Sequence, residues 1–104
     1  MKKITALIHH VRSADVIQAL QDSGYGNISI FDVKGTLKAL RESELAYSSE
    51  AGVTISEVQL SLLCEDEQVD EVISIIRKIG KIGTEISGWV YVSPIDTILP
   101  IGGI

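Results

Sequence analysis

The sequence predicts an α+β fold in which four antiparallel strands form one sheet and two helices cover one of its faces. Two observations predict this architecture. Strand-like and helix-like segments follow each other as β-α-β twice along the chain, and one long segment without a clear hydrophobic period separates the two halves. The chain has 104 residues, 45% hydrophobic and 22% charged, so we expect residues 1–104 to form one domain around one core.

The first half predicts a strand, a helix and a second strand. Residues 3–9 are rich in Ile, Leu and Thr, as strands are. Ser13 is a candidate N-cap for a helix whose apolar residues recur at helical spacing until Gly24 supplies a stop. Residues 27–34 are β-branched and aromatic, which predicts a second strand that ends at Gly35.

The second half repeats this order. Residues 58–62 alternate between apolar and polar side chains, which predicts a third strand with one buried face. Acidic side chains at residues 65–67 suit the start of a helix, and apolar residues at helical spacing follow until Gly80 ends it. Residues 80–88 predict a loop and residues 89–92 a fourth strand. Two such β-α-β units form the ferredoxin-like βαββαβ arrangement, whose sheet has one uncovered face that favours self-association.

The longest connection, residues 36–54, lies between the second and third strands. A loop of this length inside a compact domain is usually functional. A helical turn over residues 37–45 remains an alternative, because Leu37, Leu40 and Leu45 would share a face.

Charge and composition narrow the function. The net charge is -5 and the nine Lys and Arg residues are scattered, which argues against nucleic acid and favours a protein partner or a small ligand. The single cysteine, Cys64, lies in an apolar stretch and is expected to pack as a reduced thiol. No apolar stretch approaches the ~20 residues of a membrane-spanning helix, and we expect a cytoplasmic protein. No catalytic triad order, P-loop or nucleophile elbow is present, so we expect no enzyme activity.

The order and spacing of several short motifs resemble the PII signal-transduction proteins over nearly the whole chain. The motifs are Met1-Lys2-Lys3-Ile4, Asp15-Val16, Asp32-Val33-Lys34-Gly35, Ile75-Ile76-Arg77, Gly80-Lys81-Ile82-Gly83 and Val90-Tyr91-Val92-Ser93-Pro94. The resemblance implies a nitrogen regulatory homotrimer whose sheets face inward. It also implies nucleotide binding in clefts between subunits, and a long loop that engages a membrane transporter or a metabolic enzyme.

Carried over by position, the resemblance gives a set of candidate ligand-binding residues. Ser29 matches a hydroxyl residue near the adenine, Gly35 begins the loop beside the phosphates, and residues 80–83 would offer backbone N–H groups and a cation to an anion. The full set is Ser29, Gly35, Thr36, Lys38, Gly80, Lys81, Ile82, Gly83 and Thr84. By spacing alone, Gly80 is equally well explained as a helix stop and Gly83 as a turn residue. In the long loop, Glu44 and Tyr47 are the candidate partner-binding residues.

The chain departs from the PII pattern where cations would hold phosphates. Thr84 and Glu85 follow Gly83 without the usual lysine, and Pro100 and Gly102 stand where the resemblance calls for arginine. An unpaired triphosphate is costly to bury, so we expect ADP, AMP, another adenine nucleotide or a small anion rather than ATP bound in the usual way. The apolar tail, residues 98–104, is an alternative occupant that would close the cleft.

One alternative keeps the fold and changes the function. His9 and His10 end the first strand, where neighbouring side chains point to opposite faces, so one metal site using both is not expected. A trimer that gathers copies of one histidine would resemble the CutA-type metal-binding trimers. Such a metal-binding or ligand-storage trimer would have no regulatory target.

Overall fold

The computed structural model describes residues 1–35 and 55–103. The connection at 36–54 therefore lies outside the described residues, together with the candidates Thr36, Lys38, Glu44 and Tyr47.

The predicted βαββαβ order is confirmed. The strands form one antiparallel sheet in the order β2-β3-β1-β4, so the two central strands come from different halves of the chain. The elements are β1 at Lys2–His9, α1 at His10–Asp22, β2 at Ile28–Gly35, β3 at Ile55–Cys64, α2 at Val69–Ile79 and β4 at Gly88–Pro94, with a 3-10 turn at Asp66–Gln68 before α2. Each strand extends one to three residues beyond at least one of its predicted ends, because inter-strand hydrogen bonds continue past the hydrophobic pattern.

The core lies between the two helices and one face of the sheet. Alternate residues of the central strands β1 and β3 point into it, and Val16, Leu20, Val72 and Ile76 meet them from the helices. Cys64 is buried in this core, as its apolar surroundings predict. The strand residues of the core are Ile4, Ala6, Ile8, Val58, Leu60, Leu62 and Cys64.

The start of α1 differs from the prediction. The helix begins at His10, and the His9 imidazole, not Ser13, caps it by accepting a hydrogen bond from the Val11 backbone N–H at 3.3 Å. Ser13 lies inside the first turn and donates its hydroxyl proton to the His10 carbonyl at 2.8 Å. The end was predicted correctly, because Gly24 follows the helix with φ of 95°.

The prediction that His9 and His10 point to opposite faces is also wrong. The strand ends at His9 and the helix starts at His10, so the strand alternation does not apply between them. Their rings stack with centroids 4.6 Å apart. Across the sheet end, the His10 Nδ1–H donates to the Ser56 carbonyl at 3.1 Å, which fixes the start of α1 to the start of β3.

The second helix follows the sequence pattern closely. The Glu65 and Gln68 side chains form a reciprocal capping box around the 3-10 turn, and acidic residues fill the first turn of α2. Arg77 and Lys78 lie in its last turn, where they oppose the negative end of the helix dipole. Gly80 ends the helix, as predicted.

The face of the sheet away from the helices carries several large exposed side chains. Phe31 and Trp89 are 58% and 57% exposed, and Tyr91 and Leu63 lie on the same face. We call these four residues with Leu7 the open-face patch. An apolar patch of this kind is characteristic of an interaction surface.

Among the helices in the described part of the chain, none is long and apolar enough to cross a membrane.

Candidate functional site

The loop between α2 and β4, residues 80–88, contains most of the described candidate ligand-binding residues. Its beginning is fixed by Arg12 of α1, whose Nε donates to the Ile79 carbonyl at 2.9 Å. This carbonyl is one of the last in α2 and has no partner within the helix, so Arg12 supplies the cap. The guanidinium also pairs with Asp15 at 3.0 Å, and α1 therefore holds the start of the loop.

Ser87 closes the same loop on itself. Its hydroxyl oxygen accepts a hydrogen bond from the Ile82 N–H at 2.8 Å. The hydroxyl lies 3.0 Å from the Ile82 carbonyl and 3.2 Å from the Glu85 carbonyl, to which it can donate its one proton. We call this arrangement the Ser87 clip. It uses the Ile82 N–H, one of the backbone donors that the glycine motif was expected to offer to an anion.

Two glycines make the path of the loop feasible. Gly83 has φ of 62°, in the left-handed region that side chains other than glycine adopt at a cost. At Gly88 a Cβ atom would lie 2.1 Å from the Leu7 carbonyl oxygen, so only glycine lets β4 start this close to β1. Gly83 is thus the turn residue and Gly80 the helix stop that spacing suggested, and Gly80 also lines the cleft described next.

A cleft of about 450 Å³ opens beside this loop. Its lining is mainly aliphatic, with two cations, Arg77 and Lys81, and one carboxylate, Glu85. Trp89, the single tryptophan of the chain, also contributes to the lining. We call it the 80–90 cleft; its lining residues are Ile8, Ile76, Arg77, Gly80, Lys81, Glu85, Ile86, Ser87, Gly88, Trp89 and Val90.

Ser29 lies in a different place. It borders a groove of about 780 Å³ on the open face, together with Lys3, Phe31 and Ser61. Its strand, β2, and the strand that begins at Gly88 are the two edges of the sheet. At ~4.8 Å per strand spacing, three spacings separate them by roughly 14 Å. One chain therefore does not bring Ser29 and the 80–83 segment into a common pocket.

Gly35 lies at the same end of the sheet as the 80–88 loop. It ends β2, which runs parallel to β1, and Gly88 starts β4 beside the last residues of β1. Of the predicted positions, Gly80 and Lys81 line the 80–90 cleft, while Ile82, Gly83 and Thr84 continue the loop beyond it.

Several cleft residues were missed by sequence reasoning. Arg77 was assigned to the helix dipole, and Glu85, Ile86 and Trp89 were assigned to a loop or a strand. Arg77 lies in the last turn of α2 and Lys81 lies beyond the helix end, so helical spacing gives no signal that both line the cleft. Nothing in the spacing of Ser87 and Ile82 indicates that they form a hydrogen bond.

The metal-binding alternative has no cluster to support it in the described ranges. Within residues 1–35 and 55–103, no three His, Cys, Asp or Glu side chains come together in an arrangement that could hold a metal ion.

Comparison with known proteins identifies the family. The profile of the family described as Nitrogen regulatory protein P-II matches residues 1–101. The chain is 28% identical to Nitrogen regulatory protein GlnK of Escherichia coli strain K12 over 102 residues, covering 97% of this chain and 91% of that protein. It is 30% identical to Nitrogen regulatory protein P-II of Mesorhizobium japonicum and 26% identical to the protein of the same name from Pyropia yezoensis, with the same coverage. The chain therefore belongs to the Nitrogen regulatory protein P-II family of signal-transduction proteins.

Proposed function

We propose that the protein is a cytoplasmic, homotrimeric regulator that binds a small anionic metabolite between subunits and controls a target protein through residues 36–54. The preferred effectors are ADP, AMP or another adenine nucleotide, with a small anion as the second choice. The target is a membrane transporter or a metabolic enzyme. Membership of a regulatory family favours this function over a metal-binding or storage trimer.

The observation that carries the proposal is the construction of the 80–90 cleft. Two cations, Arg77 and Lys81, border a mainly aliphatic cleft, and its loop is held by the Arg12 cap and the Ser87 clip. A loop fixed in advance binds a ligand without the cost of ordering it. Two cations with one nearby carboxylate suit a ligand of low negative charge better than a triphosphate.

The separation between Ser29 and the 80–83 segment fits a site shared by two subunits. The open-face patch supplies the apolar surface that association would bury. If the sheets of three copies face each other, the β2 edge of one subunit lies next to the β4 edge of its neighbour at each contact. Ser29 of one subunit and Lys81 of another would then contact one ligand.

Isothermal titration calorimetry with AMP, ADP, ATP, cyclic AMP, bicarbonate and 2-oxoglutarate tests the ligand class. The informative variant is Lys81→Ala, and Lys78→Ala is its matched control, because Lys78 is exposed in the same helix end and does not line the cleft. Loss of a charge-assisted hydrogen bond costs roughly 1.5–3 kcal/mol, so we expect the affinity for ADP to fall about 10-fold or more in Lys81→Ala only. If none of the adenine nucleotides binds below millimolar concentration, the proposal that the protein senses a nucleotide is wrong.

The target is tested through the long loop. Deletion of residues 38–53 should abolish capture of the partner while the oligomeric mass stays unchanged. A storage protein would not be affected by the same deletion. A deletion variant that still captures the partner would therefore contradict the regulatory role of the loop.

A further inference from the structure

His9 joins β1 to α1 and is a buried titratable side chain that the proposed ligand site does not use. It is 4% exposed, and its Nδ1 accepts the hydrogen bond from the Val11 N–H, at 3.3 Å, that caps α1. A backbone N–H only donates, so Nδ1 carries no proton and the ring is neutral with its proton on Nε2. A histidine cap therefore exists in one protonation state, whereas a serine or asparagine cap does not depend on pH.

The groups nearest to the ring act on its charge in opposite directions. Glu57 of β3 is the register partner of His9 and is also 4% exposed. Register partners on neighbouring strands have their side chains on one face, so this carboxylate favours a charged imidazole while burial disfavours it. The His10 ring stacks on His9 with the centroids 4.6 Å apart, and a charge on either ring opposes a charge on the other.

The remaining described elements around the ring leave Glu57 as its carboxylate partner. On β2, the apolar Val33 lies in the same row as His9 and Glu57. In α1, the carboxylate of Asp15 pairs with Arg12 at 3.0 Å. The charged residues that α2 and the 80–88 loop bring to the cleft lined by Ile8, the residue before His9, are Arg77, Lys81 and Glu85.

We propose that His9 is a pH-sensitive cap of α1: a proton taken up from solvent ends its hydrogen bond with the Val11 N–H and turns the ring toward Glu57. An imidazolium has an N–H at both nitrogens and accepts no hydrogen bond. The first turn of α1 then loses its cap, and a charge-assisted hydrogen bond to the Glu57 carboxylate replaces it. His10 keeps its bond to the Ser56 carbonyl in both states, because its Nδ1 is the donor.

Loss of the cap reaches the 80–90 cleft through Arg12. This residue follows Val11 in the first turn of α1, and its Nε donates to the Ile79 carbonyl at 2.9 Å. A frayed first turn releases this carbonyl, so the start of the 80–88 loop becomes less ordered as the pH falls. The effect on ligand binding rests on the proposed function, whereas the switch at His9 does not.

Backbone amide NMR of the full chain between about pH 8 and pH 5, the range in which histidine changes charge, tests the switch. As the pH falls, the Val11 amide resonance should shift. Hydrogen exchange of the amides of residues 13–16, corrected for the intrinsic effect of pH on exchange, should become about 5-fold faster, as loss of a helix cap predicts.

Two asparagine variants separate the two histidines. In His9→Asn the amide oxygen accepts from the Val11 N–H at every pH, so we expect the pH-dependent change to disappear. His10→Asn is the matched control, because it removes the neighbouring imidazole and keeps an N–H for the Ser56 carbonyl, and it should retain the change. His9→Ser is a second cap that does not titrate, for use if circular dichroism shows that His9→Asn is unfolded.

The switch is overturned if the Val11 amide and the exchange of residues 13–16 do not depend on pH, or depend on it equally in His9→Asn. It is also overturned if the change persists in His9→Asn and disappears in His10→Asn, since His10 would then be the sensor. Glu57→Gln should move the midpoint of the change to lower pH. An unchanged midpoint would overturn the role of Glu57.

Calorimetry with ADP at about pH 7.5 and about pH 5.5 distinguishes the switch from the proposed function. The terminal phosphate of ADP also gains a proton in this range, so the unaltered chain and His9→Asn are compared at the same pH. We expect equal affinities at the higher pH and several-fold weaker binding by the unaltered chain at the lower pH. If the amides follow His9 and ADP binds neither chain, the switch stands and the proposed ligand is wrong. If ADP binds both chains equally at the lower pH, the proposed function stands and the coupling through Arg12 is overturned.

Discussion

Gly88 is the residue on which the junction of the loop with the sheet depends. A methyl group there would lie 2.1 Å from the Leu7 carbonyl oxygen, a backbone atom that cannot turn aside. We expect Gly88→Ala to lower the free energy of unfolding by about 2–3 kcal/mol, as overpacking does. Urea denaturation followed by circular dichroism measures it. Gly26→Ala is the matched control, because nothing lies within 4 Å of a Cβ at that position. Equal stability of the two variants would show that β4 can move away from β1.

Tyr25 joins the α1–β2 connection to α2. Its hydroxyl donates to Glu71 Oε1 at 2.6 Å, and this hydrogen bond, followed by burial and the charge of Glu71, raises the pKa of Tyr25 from 10.0 to about 12. The native state therefore favours the protonated phenol. Its contribution to stability is fully present below pH 10 and is lost as the pH rises through about 12.

Tyr25→Phe should cost about 1 kcal/mol of unfolding free energy at neutral pH, as loss of a hydrogen bond does. The difference from the unaltered chain should shrink above pH 10. A difference absorbance titration between the two proteins would isolate the ionisation of Tyr25. A phenol that ionises near its ordinary pKa would contradict the hydrogen bond.

At the scale of the elements, the strands and helices were predictable because the spacing of their apolar residues matches the set of residues that the fold buries. Val69, Val72 and Ile76 have helical spacing, and all lie toward the core. The features that sequence reasoning missed depend on contacts that have no period. His9 caps α1 because the strand ends one residue before the helix begins, and this direct junction left no room for the more common serine cap.

The 80–88 loop could be predicted as a loop but not as a fixed one. Its order comes from Arg12, which is 67 positions before Ile79 in sequence, and from the Ser87 clip. Sequence spacing cannot pair such residues, because only the contact between α1 and α2 brings Arg12 to the end of α2. Sequence spacing also cannot show that Arg77 and Lys81 line one cleft, because the other wall of the cleft is formed by β4.

Removal of the Ser87 clip should loosen the loop without unfolding the protein. Ser87→Ala leaves the Ile82 N–H and carbonyl without their partner hydroxyl, and these groups can bond to water instead. We expect faster amide hydrogen exchange confined to residues 81–88 and a change of less than about 1 kcal/mol in global stability. Ser93→Ala is a control at the other end of β4. Exchange that is unchanged in the loop would show that Gly83 and Gly88 alone fix its path.

For the whole molecule, the most consequential feature is that the helices cover only one face of the sheet, because the other face is then free to associate with further copies. Helices bury one face, while the open-face patch leaves Phe31, Trp89 and Tyr91 about half exposed or more. Hydrophobic patches of this kind are rare on monomers, and their burial contributes roughly 25 cal/mol per Å². The sequence therefore predicts both the fold and the uncovered face of its sheet. The arrangement of the copies depends on contacts between chains, which the sequence of one chain does not define.

Tyr91→Glu tests whether this face holds the copies together. Tyr91 is 49% exposed on the open face, and Val11, 48% exposed on α1, supplies the matched control Val11→Glu. A carboxylate buried without a partner costs several kcal/mol, enough to weaken association by 100-fold or more. Size-exclusion chromatography with light scattering should give three times the chain mass of 11.3 kDa for the unaltered protein and for Val11→Glu. Tyr91→Glu should give one chain mass with its circular dichroism retained. If the unaltered chain is a stable monomer in dilute solution, the shared ligand site fails, because it needs a second copy.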